Sequence, residues 1–440
     1  MARFARWIDD QLGLANLAQH QFLRKVFPDH WSFMLGETAL YSFVILLVTG
    51  TYLSLFFHPG SETTVYQGSY APLRGIAMSG AYASVLNISF DVQAGLLVRQ
   101  IHHWTATVFV AAIAVHMVRI FFTGAFRRPR QLNWMIGLTL LLAAVFAGFS
   151  GYSIVDDLLS GTGVAIGYSV VLSVPFLGPW LAFMAFGGPA PNPSLIPRLT
   201  SIHVMVLPAL ISILLVLHLA IIWRQKHTNY PGPGRTVRTV VGTRLWPVYA
   251  TKSVGFFFLV FGVLTAMGAF LEINPVWLYG PYDPAAVSSG SQPDWYLGWL
   301  EGALRLFPAW EPSILGVTIP NPFFGGALLA LLIVALFYLY PFLEQRVTGD
   351  REVHHVLDRP ALRPGRTALG AAFITFFVVL TIAGSNDILS VISGISVDVL
   401  RNALRITVVV LPLAVAAATL LVCRRLAARR GGATSVDEAE

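Results

Sequence analysis

Eight long apolar stretches recur along the chain, near 37–57, 99–123, 133–152, 199–223, 252–271, 321–342, 367–386 and 403–423. Polar connections rich in Gly and Pro separate them. Each is about as long as the roughly 20 apolar residues that a helix needs to cross a bilayer. The pattern predicts an all-α, polytopic membrane bundle of eight spans, the first four forming a four-helix core. The segment 157–187 is also apolar, but Gly161, Gly163, Gly167, Pro175, Gly178 and Pro179 interrupt it. It reads as helices lying along the membrane surface between the third and fourth spans. Residues 1–35 mix Arg3, Arg6, Arg24 and Lys25 with polar and apolar positions and lack the short apolar core of a cleavable signal peptide. They are expected to form an amphipathic segment on the cytoplasmic surface.

Charge tests the count of spans. With eight crossings, both termini and the connections after spans two, four and six share one side. Counted from Arg119, these regions hold 4, 4, 6, 5 and 4 Lys and Arg, 23 of the 29 in the chain. The other side keeps Arg74, Arg99, Arg198, Arg305, Arg401 and Arg405. Because basic loops stay inside, both termini are expected in the cytoplasm. Topology thus accounts for the net charge of +7, and no nucleic-acid partner is expected. Charged residues make up 12% of the chain, against about 25% in an average soluble domain, which excludes a soluble fold. The single cysteine, Cys423, excludes an intrachain disulfide, a Cys-ligated iron–sulfur cluster and a CxxCH haem attachment. Any metal must be held by His, Met or carboxylate.

Four of the eleven histidines fall inside predicted spans: His102 and His116 in the second, His203 and His218 in the fourth. Polar groups at membrane depth are costly and are functional candidates by default. His102 and His116 are 14 residues apart, roughly 40° around a helix and about 21 Å along it. His203 and His218 are 15 apart, roughly 60° and about 22 Å. Each helix therefore shows two imidazoles on one face. The second and fourth spans run in the same direction, so His102 meets His203 on the outer side and His116 meets His218 on the cytoplasmic side. Two imidazoles from facing helices are the axial ligands of a bis-histidine haem. His103 lies roughly 140° from His116 around the axis and is expected to point elsewhere. Gly36 and Gly50 in the first span, and Gly137 and Gly151 in the third, repeat the 14-residue interval. A residue without Cβ lets a flat macrocycle lie against a helix. Arg99, Arg119 and Arg198 lie three to five residues from a histidine and suit haem propionates.

With Pro293–Asp294–Trp295–Tyr296 between spans five and six, these residues make the whole chain resemble cytochrome b of the quinol:cytochrome c reductases. The runs 224–236 and 158–163 are most similar to its actinobacterial branch. The resemblance implies two haem b groups, His102/His203 low-potential and His116/His218 high-potential. Residues 36–225 would form the diheme N-terminal domain and 226–425 the C-terminal domain, with 426–440 a cytoplasmic tail. It further implies an enzyme subunit of the plasma membrane, active only with a Rieske iron–sulfur protein and a c-type cytochrome. A homodimer, contact with membrane lipid and a supercomplex with a terminal oxidase belong to the same expectation.

In this family, quinol (menaquinol, from the actinobacterial likeness) is oxidised at an outer site and quinone reduced at an inner one. Asp294 would be the outer base, a role it suits when its surroundings raise its pKa toward the working pH. Tyr296, Tyr152, Gly163, Pro293 and Trp295 would bind or shape the pocket. His227, Lys226, Asn229 and Lys252 would line the inner site. Several positions depart from the family: Asp294 stands where Glu is usual, Val155 where proline is usual, and Ser253 where the mitochondrial type has an acid. The 15-residue spacing matches the plastid and Gram-positive type, the extra residue falling between His203 and Pro208. Two other readings compete. A diheme anchor of another oxidoreductase would need the histidines but not 293–296. A haem-free transporter would need internal repeats and would contain no haem.

Overall fold

The computed structural model describes residues 24–440, apart from Pro191, 287–291, Leu315 and 438–440. Most of the expected amphipathic segment lies outside the described residues. Eight helices are long and apolar enough to span a membrane: α1 (Met34–Ser54), α3 (Gly95–Thr123), α4 (Gln131–Ser153), α7 (Leu195–Gln225), α8 (Leu245–Phe270), α10 (Phe323–Thr348), α11 (Pro364–Gly384) and α13 (Val397–Asp437). They match the eight apolar stretches with ends shifted by at most seven residues, except that α13 runs 14 residues past the eighth. Between them lie shorter helices: α2 (Gly80–Phe90), α5 (Leu158–Leu172), α6 (Gly178–Phe186), α9 (Gly298–Leu306) and α12 (Asn386–Ser393). α5 and α6 occupy the broken apolar segment. The hydrophobic pattern gave no sign of α2, whose end is capped by Ser79 accepting from the Tyr82 backbone N–H.

Small residues and polar ties hold the helices together, as lipid gives no hydrophobic drive for helix association. α1 packs on α3, α4 on α7, α8 on both α1 and α3, and α11 on α13. A Cβ at Gly302 would fall 1.7 Å from the Leu380 carbonyl oxygen, and one at Gly384 2.5 Å from that of Gly298. The backbones of α9 and α11 therefore touch. Trp134 Nε1 donates to the Phe337 carbonyl at 2.8 Å, and Thr139 bonds Tyr338 at 2.7 Å. These bonds fix α10 to α4. On one side of the bundle the strand β1 (Val26–Phe27) pairs with β4 (Thr243–Arg244), seating the N-terminal segment against the start of α8. Two further hairpins, β2 (Thr63–Val65) with β3 (Ala77–Ser79) and β5 (Ser313–Ile314) with β6 (Val317–Thr318), lie in connections.

On the other side the loop after α8 docks on the start of α5. Leu158 N–H donates to the Gly280 carbonyl at 3.0 Å, and the Tyr282 ring lies where a Gly161 side chain would be. Asp157 caps α5 through a reciprocal pair with Ser160 and is fully buried. Its carboxyl is raised to about 6 by burial, partly opposed by the Ser160 hydrogen bonds. This loop carries 293–296, so its seating fixes where these residues stand.

Candidate functional site

Helices α3 and α7 present the four intramembrane imidazoles. In α7 the turn Ile202–Val206 is π-helical. A π turn accommodates one extra residue, so the 15-residue separation in α7 has the phase of the 14-residue separation in α3. The His102 and His203 rings lie 6.2 Å apart, centre to centre, with planes at 77°. Their Nδ1 atoms are engaged: His102 with Thr49 Oγ1 at 2.8 Å, and His203 with the Ala147 carbonyl at 2.9 Å. Such outer bonds fix the tautomer and leave Nε2 for a metal. His116 and His218 interact nearer the other ends of these helices, the His116 Nδ1 buried and without a hydrogen bond among the described residues.

Each glycine of the two repeated pairs faces one histidine. An added Cβ at Gly50 would lie 3.2 Å from His102 Cε1, and at Gly151 2.4 Å from His203 Cε1. At Gly36 it would lie 3.4 Å from His116 Cε1, and at Gly137 3.6 Å from His218 Cε1. The glycines thus sort into the same two pairs as the imidazoles. Arg99 gives two N–H groups to the Asn274 carbonyl but keeps a buried Nε without an acceptor. Arg119 lies over Phe33 and keeps a buried Nη2 without one. Free buried guanidinium donors fit an anionic group. Arg198 is placed differently: it donates to the Phe183 and Met184 carbonyls near the surface. No group of three or more His, Cys, Asp or Glu converges among the described residues. A metal held by these pairs would take its remaining ligands from a macrocycle, as haem iron does.

Asp294 sits between two donors. Tyr296 Oη donates to Oδ2 at 2.8 Å and His103 Nε2 lies 3.2 Å from Oδ1. Burial pushes the carboxyl up, but the hydrogen bonds and charge of His103 and the Tyr296 bond hold it below the usual carboxylate value. This direction is the reverse of the expected rise. His103 is the residue the sequence missed: it turns away from the imidazole pairs, as its phase required, and toward a loop 191 positions on. Tyr296 is buried against α4, its ring filling the space that a side chain at Gly148 would need. Tyr152 packs beside Gly163, whose added Cβ would lie 3.4 Å from its ring. Trp295 is 48% exposed and faces outward, as residues of an aromatic belt do. Pro293, next to Asp294, is half-buried.

Where α7 ends and α8 begins, the His227 ring meets Phe27 at 4.5 Å with planes tilted by 52°, and Phe27 stacks on Tyr249 at 4.4 Å. Burial, with the Lys25 and Arg130 charges, lowers His227 to about 4, so its ring is neutral. Its Nδ1 is buried without a hydrogen bond among the described residues. Lys252 pairs with Asp29 at 2.5 Å, both about half exposed. Asn229 and Lys226 do not join them. The Asn229 amide is buried and ties its loop to Thr239 and Val241, while Lys226 reaches the Arg238 carbonyl.

This fold and its paired imidazoles define a multi-pass membrane cytochrome of the b type. Residues 107–281 match the family described as Cytochrome b(N-terminal)/b6/petB. The chain is 49% identical to the cytochrome bc1 complex cytochrome b subunit of Streptomyces coelicolor over 97% of this chain and 78% of that one. It is 52% identical to that of Mycobacterium leprae (94% and 75%) and 47% identical to that of Corynebacterium diphtheriae (94% and 76%). The chain belongs to the cytochrome b subunits of the cytochrome bc1 complex, a respiratory quinol:cytochrome c oxidoreductase. As a cytochrome b it binds haem b. A structure titled Hyperthermophilic respiratory Complex III shares the fold, with TM-score 0.66 and 21% identity over 94% of this chain and 99% of that one.

Proposed function

We propose that this subunit holds two bis-histidine b haems, His102/His203 outside and His116/His218 inside, and oxidises quinol at an outer site while reducing quinone at an inner one. The observation that carries this reading is the sorting of four glycines onto four histidines, one glycine beside each ring. When bound, each haem supplies a one-electron centre. Gly36, Gly50, Gly137 and Gly151 leave room for the macrocycles. Arg99 and Arg119 are the better-placed partners for propionates, with Arg198 the weaker one. Residues 36–225 form the haem domain and 226–425 the quinol-site and packing domain. The tail 426–440 and the N-terminus are cytoplasmic, at the plasma membrane.

Asp294, already ionised, accepts a proton from the quinol hydroxyl, and Tyr296 and Tyr152 shape the pocket with Gly163, Pro293 and Trp295. One electron passes to a Rieske protein and on to a c-type cytochrome, the other to the inner site. There His227 offers a ring nitrogen to a quinone carbonyl and Lys252 a positive charge. Menaquinone is the substrate, and the complex is a homodimer that contacts lipid and associates with a terminal oxidase. The purified complex in detergent is expected to yield two b haems per chain by pyridine haemochrome assay, titrating in two steps. A single step, or one haem per chain, would overturn the paired assignment.

The electrostatics of Asp294 give a pH prediction. Tyr296→Phe removes one donor to the carboxylate, so the carboxyl rises. Ionised Asp294 is present above its pKa and lost as pH falls through it. The acid limb of kcat/KM for quinol is expected to move up by about one pH unit, equivalent to about 1.4 kcal/mol and within reach of one charged hydrogen bond. An unmoved acid limb would mean that Asp294 does not set it.

A further inference from the structure

The cytoplasmic end of α1 carries an acid that the quinol and haem assignments leave without a role. Glu37 lies in the first turn of an otherwise apolar span. Its Oε1 accepts from Tyr249 Oη at the start of α8, and its Oε2 from Tyr41 Oη at 3.1 Å, one turn along α1. Tyr41 Oη also meets Ser253 Oγ at 2.5 Å. Ser253 follows Lys252, whose ammonium pairs with Asp29 at the exposed mouth of the site. At the inner end, Gly36, the neighbour of Glu37, packs against His116. Phe27 stacks on Tyr249 and meets the His227 ring at a tilt. A hydrogen-bonded line of Ser253, Tyr41, Glu37 and Tyr249 therefore joins the first turns of α8 and α1, with its Glu37 end beside the residue that packs against His116.

A tie between α1 and α8 needs only neutral partners, and an ionisable group within a span is costly and marks proton routes. We propose that Glu37 is the proton donor of the inner quinone site, a role that rests on the inner-site reading above. Reducing one quinone takes two electrons, drawn in two turnovers from the b haem on that side, and two protons. Both C=O groups become C–OH. Protonated Glu37 gives one proton to a carbonyl oxygen through the Tyr249 hydroxyl, and water supplies the proton of the second carbonyl. The resulting carboxylate is held by the two phenol donors and takes its next proton from cytoplasmic water. The charged and titratable groups around it are Tyr41 on its own helix, Tyr249 and Lys252 on α8, and Asp29 on the N-terminal segment. His227 and Lys25 lie beyond Phe27.

The test uses the purified complex with a tail-less dimethyl naphthoquinone as oxidant of pre-reduced b haem, while an outer-site inhibitor is bound. Glu37→Gln keeps the shape and the acceptor oxygen but has no proton to give. It is expected to keep haem content and spectra and to slow b-haem reoxidation about tenfold or more, with a changed solvent deuterium effect. Wild-type rate and isotope effect in that variant would overturn the proposal. Should Glu37→Gln not assemble, Glu37→Asp decides: its carboxyl recedes by one methylene, so slowed reoxidation supports the relay and wild-type behaviour overturns it. Failure of the inner-site reading looks different: the unmodified complex would itself show no reoxidation of b haem by the quinone.

Discussion

His102→Ala is expected to lower the b-haem content from two per chain to one or fewer and to abolish quinol:cytochrome c reduction. The physical reason is that no substitute ligand is available. His103 is next in sequence, but its ring is committed to Asp294 at 3.2 Å and its phase on α3 turns it away from His203. Thr49, which now holds His102 Nδ1 at 2.8 Å, would lose its partner, and His203 would face its own Ala147 anchor alone. Losing an outer-shell contact to a metal ligand costs about 10–100-fold in affinity or activity. Loss of the ligand itself is therefore expected to cut turnover by at least about 100-fold. The check is a haemochrome count with a redox titration of the variant complex. The step assigned to the outer haem should vanish while the step from His116 and His218 persists. If both steps remained, the pairing across α3 and α7 would be wrong.

The histidine pairs were legible because each is written within one helix, as an interval set by 3.6 residues per turn. Even the irregular interval in the fourth span was readable, since Ile202–Val206 absorbs its extra residue as a π turn. The eight spans were legible for a similar reason: lipid forces every crossing to satisfy its own backbone, which leaves a long apolar run in the sequence. Contacts between distant segments were not. His103 and Asp294 meet because the loop after α8 docks on α5 through Gly161 and Tyr282. Glu37 and Tyr249 are 212 positions apart and meet because β1 pairs with β4. Nothing in local periodicity encodes either docking. The direction of the Asp294 shift was missed for the same reason, since burial of a carboxylate alone predicts a rise and the two donors that reverse it come from packing. One available signal was His103 itself, a second polar residue at membrane depth on the face that the imidazole pairs do not use.

Asp294→Asn is the other substitution with a large expected effect, and its size separates a base from a pocket wall. Asparagine has the same shape and can still accept from Tyr296 Oη, now 2.8 Å from the carboxylate. The fold of the loop and the haem content should therefore be unchanged. What disappears is the negative oxygen proposed to take the quinol proton. A positioned general base contributes about 10²–10⁴-fold, so kcat is expected to fall by about 100-fold or more while KM for quinol changes little. Asp294→Glu restores a carboxylate on a stem one methylene longer and should recover most of the rate, provided that Tyr296, wedged at Gly148, lets the longer stem in. Steady-state kinetics of the three complexes, each with its haem count, decide the matter. A KM that rises with kcat intact would make Asp294 a binding residue only. Equal loss in Asn and Glu variants would point to the exact placement of the Tyr296 and His103 contacts, and proton acceptance would have to be sought elsewhere on the outer face.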